Sequence, residues 1–328
     1  MLKLQTITIE RFRGIRSGTL DNFASVNLLI GRNNSGKTTV LEAICRAAAS
    51  GTGSGDFLGR SVQQVWSSIR GQDDGSGLWY KQETSEPILL KAGLVKTASD
   101  SRPKVSTLTQ RYLWQNNSVA GGADAAVAEG GPTHNDLIKF FKSLALYRPE
   151  DGINRTIERH FWPKLLATRR DKLLTGTLND VFKLQTEGLQ LLPDGQLMTL
   201  FPDYSVSVDL QGDGTRSTLR ALMVLTMMTG SLLLLEEPEC HHHPGSLGRY
   251  AQALCKQSQE QQVQLIISTH SSECVRSFLE AAGSVGSDSA VFHLTLENGV
   301  QTARRLDAEA VETLQATGVD VRFLDLYG

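Results

Sequence analysis

"SVNLLIGRNNSGKTTVLEAI", residues 25–44, decides the fold of this chain. Its first seven residues are an apolar run ending in Gly31, the pattern of a buried parallel strand. From Lys37 the spacing turns helical, and "KTTVLEAICRAAAS" runs on toward Gly51. Between them, "GRNNSGKT" satisfies G-x-x-x-x-G-K-[ST] at every fixed position, in the strand–loop–helix context the pattern requires. Backbone N–H groups of Gly31, Arg32, Asn33, Asn34, Ser35 and Gly36 are then expected to turn inward around phosphate oxygens. The positive end of the following helix, with Thr39 in its first turn, adds to that field. Lys37 would bring a point charge to the β and γ phosphates, and Thr38 a hydroxyl to Mg²⁺. Pattern and context together outweigh the plain alternative, a glycine-rich turn with an exposed lysine.

The chain of 328 residues suits one large α/β domain, or one that carries an inserted lobe. A formal charge of −2 and a pI near 6.4 exclude a generally basic nucleic-acid binder and leave room only for a local patch. Cys45, Cys240, Cys255 and Cys274 show no CxxC spacing, which points to reduced thiols and a cytoplasmic protein. "MLKLQTITIERFRG" lacks the apolar core of a signal peptide, and "ALMVLTMMTGSLLLLEE" is too short and too interrupted to span a bilayer. No membrane partner is expected.

Residues 2–10 alternate and predict a strand at a sheet edge. From 51 to 133 Gly, Ser, Asp and Asn dominate, with strand-like pieces at 87–95 and 105–113. Residues 135–147 and 155–187 read as helical, the second region with Trp162, Leu165, Leu166, Leu173, Leu174, Leu178, Val181 and Phe182 on an apolar stripe. A helix at 215–229, a strand at 232–235, a helix at 246–259 and a strand at 263–268 follow. The expected fold is α/β: a sheet built from residues 1–50 and 200–328, with 51–199 an inserted lobe, loop-rich β over 51–133 and helical over 134–199.

"LLLLEEPECHHHP", residues 232–244, supplies the acidic counterpart of the phosphate loop. Four leucines make a buried strand, and Glu236 and Glu237 emerge at its C-terminal end, the edge of an open α/β sheet where ligands bind. Glu236 is the expected metal-side carboxylate and Glu237 the expected general base. Cys240 and His241–His243 raise the question of zinc. Adjacent histidines on a short turn point in different directions, and no second ligand pair stands at zinc spacing, so Mg²⁺ is the expected cation. "QLIISTHS" (264–271) is a second apolar strand that brings His270 to the same edge, where it could sense the γ-phosphate. "LQGDGTRSTLRALMVL" (210–225) has Gly212, Asp213 and Gly214 ahead of Thr215 and Ser217 at the start of a helix. That is a second anion-binding helix N-terminus, suited to a nucleotide held by another subunit.

In this order the segments resemble the ABC-type ATPases of the SMC, RecF and OLD (overcoming lysogenisation defect) group. "ITIERFRGI" is similar to that group's opening strand, "GRNNSGKTTVLEAI" to its Walker A segment and "QGDGTRS" to its signature. "LLLLEEPECHHHP" is similar to its Walker B and D-loop, and "ISTHS" to its switch-histidine loop. The resemblance covers roughly residues 1–50 and 200–275. It implies a P-loop ATPase head with ATP and Mg²⁺ as cofactors, and a head-to-tail dimer or higher homo-oligomer. Gly212, Gly214 and Thr215 of one subunit would cap the ATP of the other, and Lys37, Thr38, Glu236, Glu237 and His270 keep the roles above. Two positions depart from the group: Glu236 stands where Asp is usual, and Gln211 where the signature has Ser, with Thr215 or Ser217 as substitutes. The Q-loop glutamine falls on none of Gln63, Gln64 and Gln72 with conviction. OLD-type nucleases continue into a Toprim domain, and the stretch after Phe292 reads as the end of an ATPase region. The resemblance therefore implies a nucleotide-gated sensor or scaffold for a separate effector, as in anti-phage defence. The alternative is a RecF-like DNA-directed ATPase, with Arg155, Arg159, Lys164, Arg169, Arg170 and Lys172 interleaved with Phe161 and Trp162 as a backbone-contacting stripe. A solvated helix face explains that stripe as well.

Overall fold

The apolar runs of the sequence become strands buried on both faces. The computed structural model describes residues 1–49, 57–58, 75–96, 104–116, 118–148 and 154–326, with backbone alone at 49 and 154–156. The chain begins with β1 (Leu2–Phe12), β2 (Ile15–Asp21), β3 (Val26–Ile30) and helix α1 (Lys37–Ala49). After them come β4 (Ile88–Lys96), β5 (Val105–Gln115), β6 (Ser118–Ala126), α2 (His134–Lys142) and β7 (Ala145–Tyr147). Helices α3 (Asn154–Ala167) and α4 (Asp171–Phe182) precede a small meander of β8 (Gly188–Leu191), β9 (Leu197–Leu200) and β10 (Ser205–Ser207). The rest alternates: α5 (Asp213–Met227), β11 (Leu232–Glu236), α6 (Pro244–Gln261), β12 (Gln264–Ser268) and α7 (Ser272–Ser284). Last are β13 (Ser289–Glu297), β14 (Val300–Leu306), α8 (Ala308–Ala316) and a 3₁₀ segment, Val321–Leu326.

Among the described residues one eleven-stranded sheet runs β6-β5-β4-β1-β2-β14-β13-β3-β12-β11-β7. From β13 to β7 every neighbouring pair is parallel, and the β6-to-β2 side is an antiparallel meander. In the parallel half alternate residues feed two cores. Leu28, Leu233, Leu235, Leu265 and Ile267 join one with α3–α7, while Leu29, Leu232, Leu234 and Ile266 join the other with α1 and α2. Both faces are covered, so β3, β11 and β12 read as unbroken apolar runs. Each fully buried leucine contributes roughly 1.5–3 kcal/mol.

Three expectations are corrected. First, β1 is not at an edge: it pairs with β2 on one side and β4 on the other. A register shift between Leu4 and Thr6 lets Leu4, Ile7 and Ile9 all face inward, which strict alternation forbids. Second, residues 145–147 leave the predicted helix and pair in parallel with β11, their three side chains buried. Third, the 155–187 region divides near Arg169 (φ 55°) and again at Lys183 (φ 56°), where α4 ends, and Leu166 and Leu173 face solvent at 48% and 47% exposure. The expected insertion is not set apart along its β portion, because β4–β6 extend the same sheet outward from β1. Among the described residues no helix is long and apolar enough to cross a membrane.

Candidate nucleotide site

The loop between β3 and α1 closes on itself. Gly31 has φ 138°, and a Cβ there would lie 2.4 Å from the carbonyl oxygen of Leu294 on the neighbouring strand, so only glycine fits. Lys37 Nζ donates to the carbonyls of Gly31 (2.9 Å) and Arg32 (3.0 Å), and Gln301 Nε2 braces the loop from outside through Ser35 O (3.0 Å). Burial pulls the Lys37 ammonium down to about 8, an effect that the charge of Glu237 partly offsets. An inward-facing ammonium held by its own loop's carbonyls fits a site built for phosphate oxygens. Thr39 is buried behind it.

Sheet register brings the acidic strand end to this loop. Glu236 pairs with Ser268, which in turn pairs with Leu29 of β3, so all three strands end at one edge. Thr38 Oγ1 donates to Glu236 Oε1 at 2.5 Å. The opposite oxygen, Glu236 Oε2, is taken by Arg148 Nε, an ion pair with no precedent in the sequence reading. Thr38 and Glu236 offer oxygens alone, a donor set for a hard cation that draws its other ligands from phosphate and water. Among the described residues no group of three or more His, Cys, Asp or Glu could hold a metal ion.

Glu237 sits in the left-handed region (φ 44°) with its N–H donating to Ser268 O at 2.9 Å, which turns the side chain off the strand. His270 Nε2 lies 3.6 Å from Glu237 Oε1, and both side chains are 42% exposed. Partial burial, then the charge of Lys37, lowers the His270 pKa, so the imidazole is held toward its neutral form. Two supports of this loop were not legible in the sequence. Glu239 Oε1 accepts from the Thr269 hydroxyl and from His270 N (3.4 Å), its own pKa raised by burial. Arg322 Nη1 donates to His270 O at 2.9 Å, and three residues on, Asp325 pairs with Arg32 of the phosphate loop at 2.8 Å.

The predicted signature segment stands apart from this cluster. Gly212, Asp213, Gly214 and Thr215 line a cleft of about 510 Å³ with Phe182, His241, His243 and Arg249. Gly214 is needed there for contact: a Cβ would lie 2.6 Å from the carbonyl oxygen of His241. Ser217 is not offered at that mouth but is buried at 3% exposure, its backbone carbonyl receiving the Tyr147 hydroxyl. Gln211 is committed to Thr199 Oγ1 at 2.6 Å. The three histidines diverge. His243 caps α6 through Nδ1 and Gly245 N (3.1 Å), and His241 is exposed. His242 turns inward, stacked 4.2 Å from the Tyr250 ring, and burial lowers its pKa to about 4. His242 is therefore a packing residue.

The basic stripe loses its aromatic half: Phe161 and Trp162 are 1% and 4% exposed and belong to the core. Arg159 and Arg170 spend hydrogen bonds on the carbonyls of Asp194 and Thr226. The side chain of Arg155, and the three glutamines Gln63, Gln64 and Gln72, lie outside the described residues.

Comparison with known proteins agrees with this geometry. Over 112 residues the chain is 28% identical to "Uncharacterized protein MJECL11" of Methanocaldococcus jannaschii, covering 34% of this chain and 98% of that one. An Smc head bound to the C-winged helix domain of ScpA superposes with a TM-score of 0.61 at 12% identity, covering 93% of this chain and 98% of that one. The SMC head domain from Thermotoga maritima gives 0.55 at 12% identity, covering 93% and 100%. The fold is thus the mixed α/β P-loop fold of SMC heads. Residues 2–48 match the family described as "AAA ATPase domain". Residues 95–276, more than half of the chain, match a second, and the chain belongs to it: the family "AAA domain, putative AbiEii toxin, Type IV TA system".

Proposed function

We propose that the chain binds and hydrolyses ATP with Mg²⁺, and that ATP closes two copies head to tail. The observation that carries this reading is the Thr38–Glu236 contact, which joins the phosphate loop to the acidic strand end at one sheet edge. Gly31–Thr39 would hold the triphosphate, and Lys37 would leave its loop carbonyls for the β and γ phosphates. Thr38 and Glu236 would hold Mg²⁺, whose charge offsets that of the phosphates. Glu237 would take the proton of the attacking water, and His270 would hydrogen-bond the γ-phosphate. Gly212, Asp213, Gly214 and Thr215 would cap the partner's nucleotide with their helix N-terminus.

Closure of such a dimer is a signal, and the reading extends to a separate effector that the closed state holds or releases, within a defence system. The toxin–antitoxin wording of the family supports that direction. The RecF-like alternative loses the aromatic half of its motivating pattern, because Phe161 and Trp162 are buried in the core.

Light scattering of the Glu237→Gln chain with ATP tests the core of the proposal. A dimer that forms with ATP, persists in Glu237→Gln and is lost in Lys37→Ala is expected. A Glu237→Gln chain that hydrolyses ATP at the wild-type rate overturns the assignment of the base. Co-purification from native lysate with and without ATP tests the effector, and a solitary chain in every condition counts against it.

A further inference from the structure

Arg148 follows β7, a strand of three residues at the sheet edge. Its register with β11 pairs Leu233 with Ala145, Leu234 with Leu146 and Leu235 with Tyr147. One step further along the two chains, Arg148 stands beside Glu236, and the two side chains pair through Nε and Oε2. The position is fixed from behind: Tyr147 is buried and its hydroxyl is bound to the Ser217 carbonyl at 3.0 Å. The arginine side chain is 18% exposed and the carboxylate 12%.

A carboxylate this poorly hydrated needs a cation beside it, because an uncompensated buried charge is costly. Its two oxygens are engaged differently. Thr38 donates a proton to Oε1 and keeps its oxygen lone pairs, so that contact is compatible with a cation on the threonine hydroxyl. Arg148 occupies Oε2 with positive charge, the place where a water carried by Mg²⁺ would donate.

We propose that Arg148 is the resident counter-cation of Glu236, and that Mg²⁺ arriving with nucleotide takes its place. The inference rests on the ATP·Mg²⁺ reading above and adds to it an exchange: one positive charge leaves the carboxylate as another enters. The exchange makes ATP binding demand more Mg²⁺ than an unguarded carboxylate would, and it returns the carboxylate to Arg148 when nucleotide departs. Arg148 is a positioning residue in this scheme, acting on the cation site through Glu236.

Calorimetric titration of ATP into the full chain over a series of Mg²⁺ concentrations tests it without turnover. In Arg148→Gln the Mg²⁺ concentration that gives half-maximal ATP binding should fall by about tenfold, the effect of removing one competing charge. Arg148→Lys, which keeps the charge, should stay close to wild type and also controls for misfolding. In a Glu236→Gln background, Arg148→Gln should produce no further shift, since no carboxylate remains to be guarded. A midpoint that is unmoved or raised in Arg148→Gln, with wild-type ATP binding intact, overturns this inference alone. A wild-type chain that binds no ATP at any Mg²⁺ concentration overturns the nucleotide reading and this inference with it.

Discussion

Arg322 Nη1 donates to the backbone carbonyl of His270 at 2.9 Å, which ties residues 320–326 to the loop expected to sense the γ-phosphate. Asp320 holds that guanidinium at 3.0 Å and 2.5 Å, and Asp325 of the same segment grips Arg32 in the phosphate loop. The buried His293 ring anchors the segment through Arg322 O at 3.2 Å. The phosphate loop and the His270 loop, both parts of the proposed nucleotide site, are therefore spanned by a single short piece of chain. Arg322→Ala should lower affinity for ATP by about tenfold, the worth of one charge-assisted hydrogen bond, and leave ADP affinity near wild type. Competition binding with the two nucleotides decides it; equal losses for both would show a general loosening of the fold.

Gly214→Ala pushes a methyl group against the backbone of His241, where no flexible side chain can yield. A loss of about 1–3 kcal/mol is expected, read as a lower thermal midpoint. The strain falls at the signature cleft and away from Lys37, so monomer binding of ATP should survive while ATP-driven dimerisation weakens. Parallel nucleotide titration and light scattering separate the two effects.

Arg220 on α5 is 3% exposed and pairs with Glu158 on α3 (3.1 Å, 1% exposed) and with Asp209 (3.0 Å). Arg220→Met removes a buried ion-pair partner from Glu158, and a loss of about 3 kcal/mol is expected in chemical denaturation. Glu158→Gln combined with Arg220→Met should recover part of that loss, because a neutral amide is cheaper to bury than a carboxylate deprived of this arginine.

His242 is half-buried as a neutral ring, its pKa lowered from 6.5 to about 4 by burial and then by His241. The unfolded chain therefore takes up a proton that the folded chain refuses. Stability from this group is fully present above pH 6.5 and is lost as pH falls toward 4, by on the order of 2 kcal/mol for a partly exposed ring. His242→Gln should start less stable, through lost stacking on Tyr250, yet show a shallower decline between pH 6.5 and 4. Denaturation midpoints across that window would falsify the idea if the two slopes match.

Local signals carried the centre of the molecule. Glycines at fixed offsets, a lysine after them and two leucine-rich strands with charged ends are short-range patterns, and residues 25–44 and 232–237 were legible for that reason. β7 was not, because three residues are too few to show a period, and a helix-like spacing continued through them. The stripe at 155–187 misread Leu166 and Leu173 because the chain bends near Arg169, which resets the face that meets the core.

The sequence by itself determined that a phosphate loop, an acidic strand end and a histidine turn would sit on one α/β sheet. Each of these is written within a dozen residues, and backbone geometry does the rest. Only the tertiary structure decided which partners those groups have. Arg148 meets Glu236 across 88 positions of chain, Arg322 meets His270 across 52, and Asp325 reaches back to Arg32. Such pairs are set by strand order and register, which no local pattern encodes, and they decide which charges the proposed nucleotide site holds.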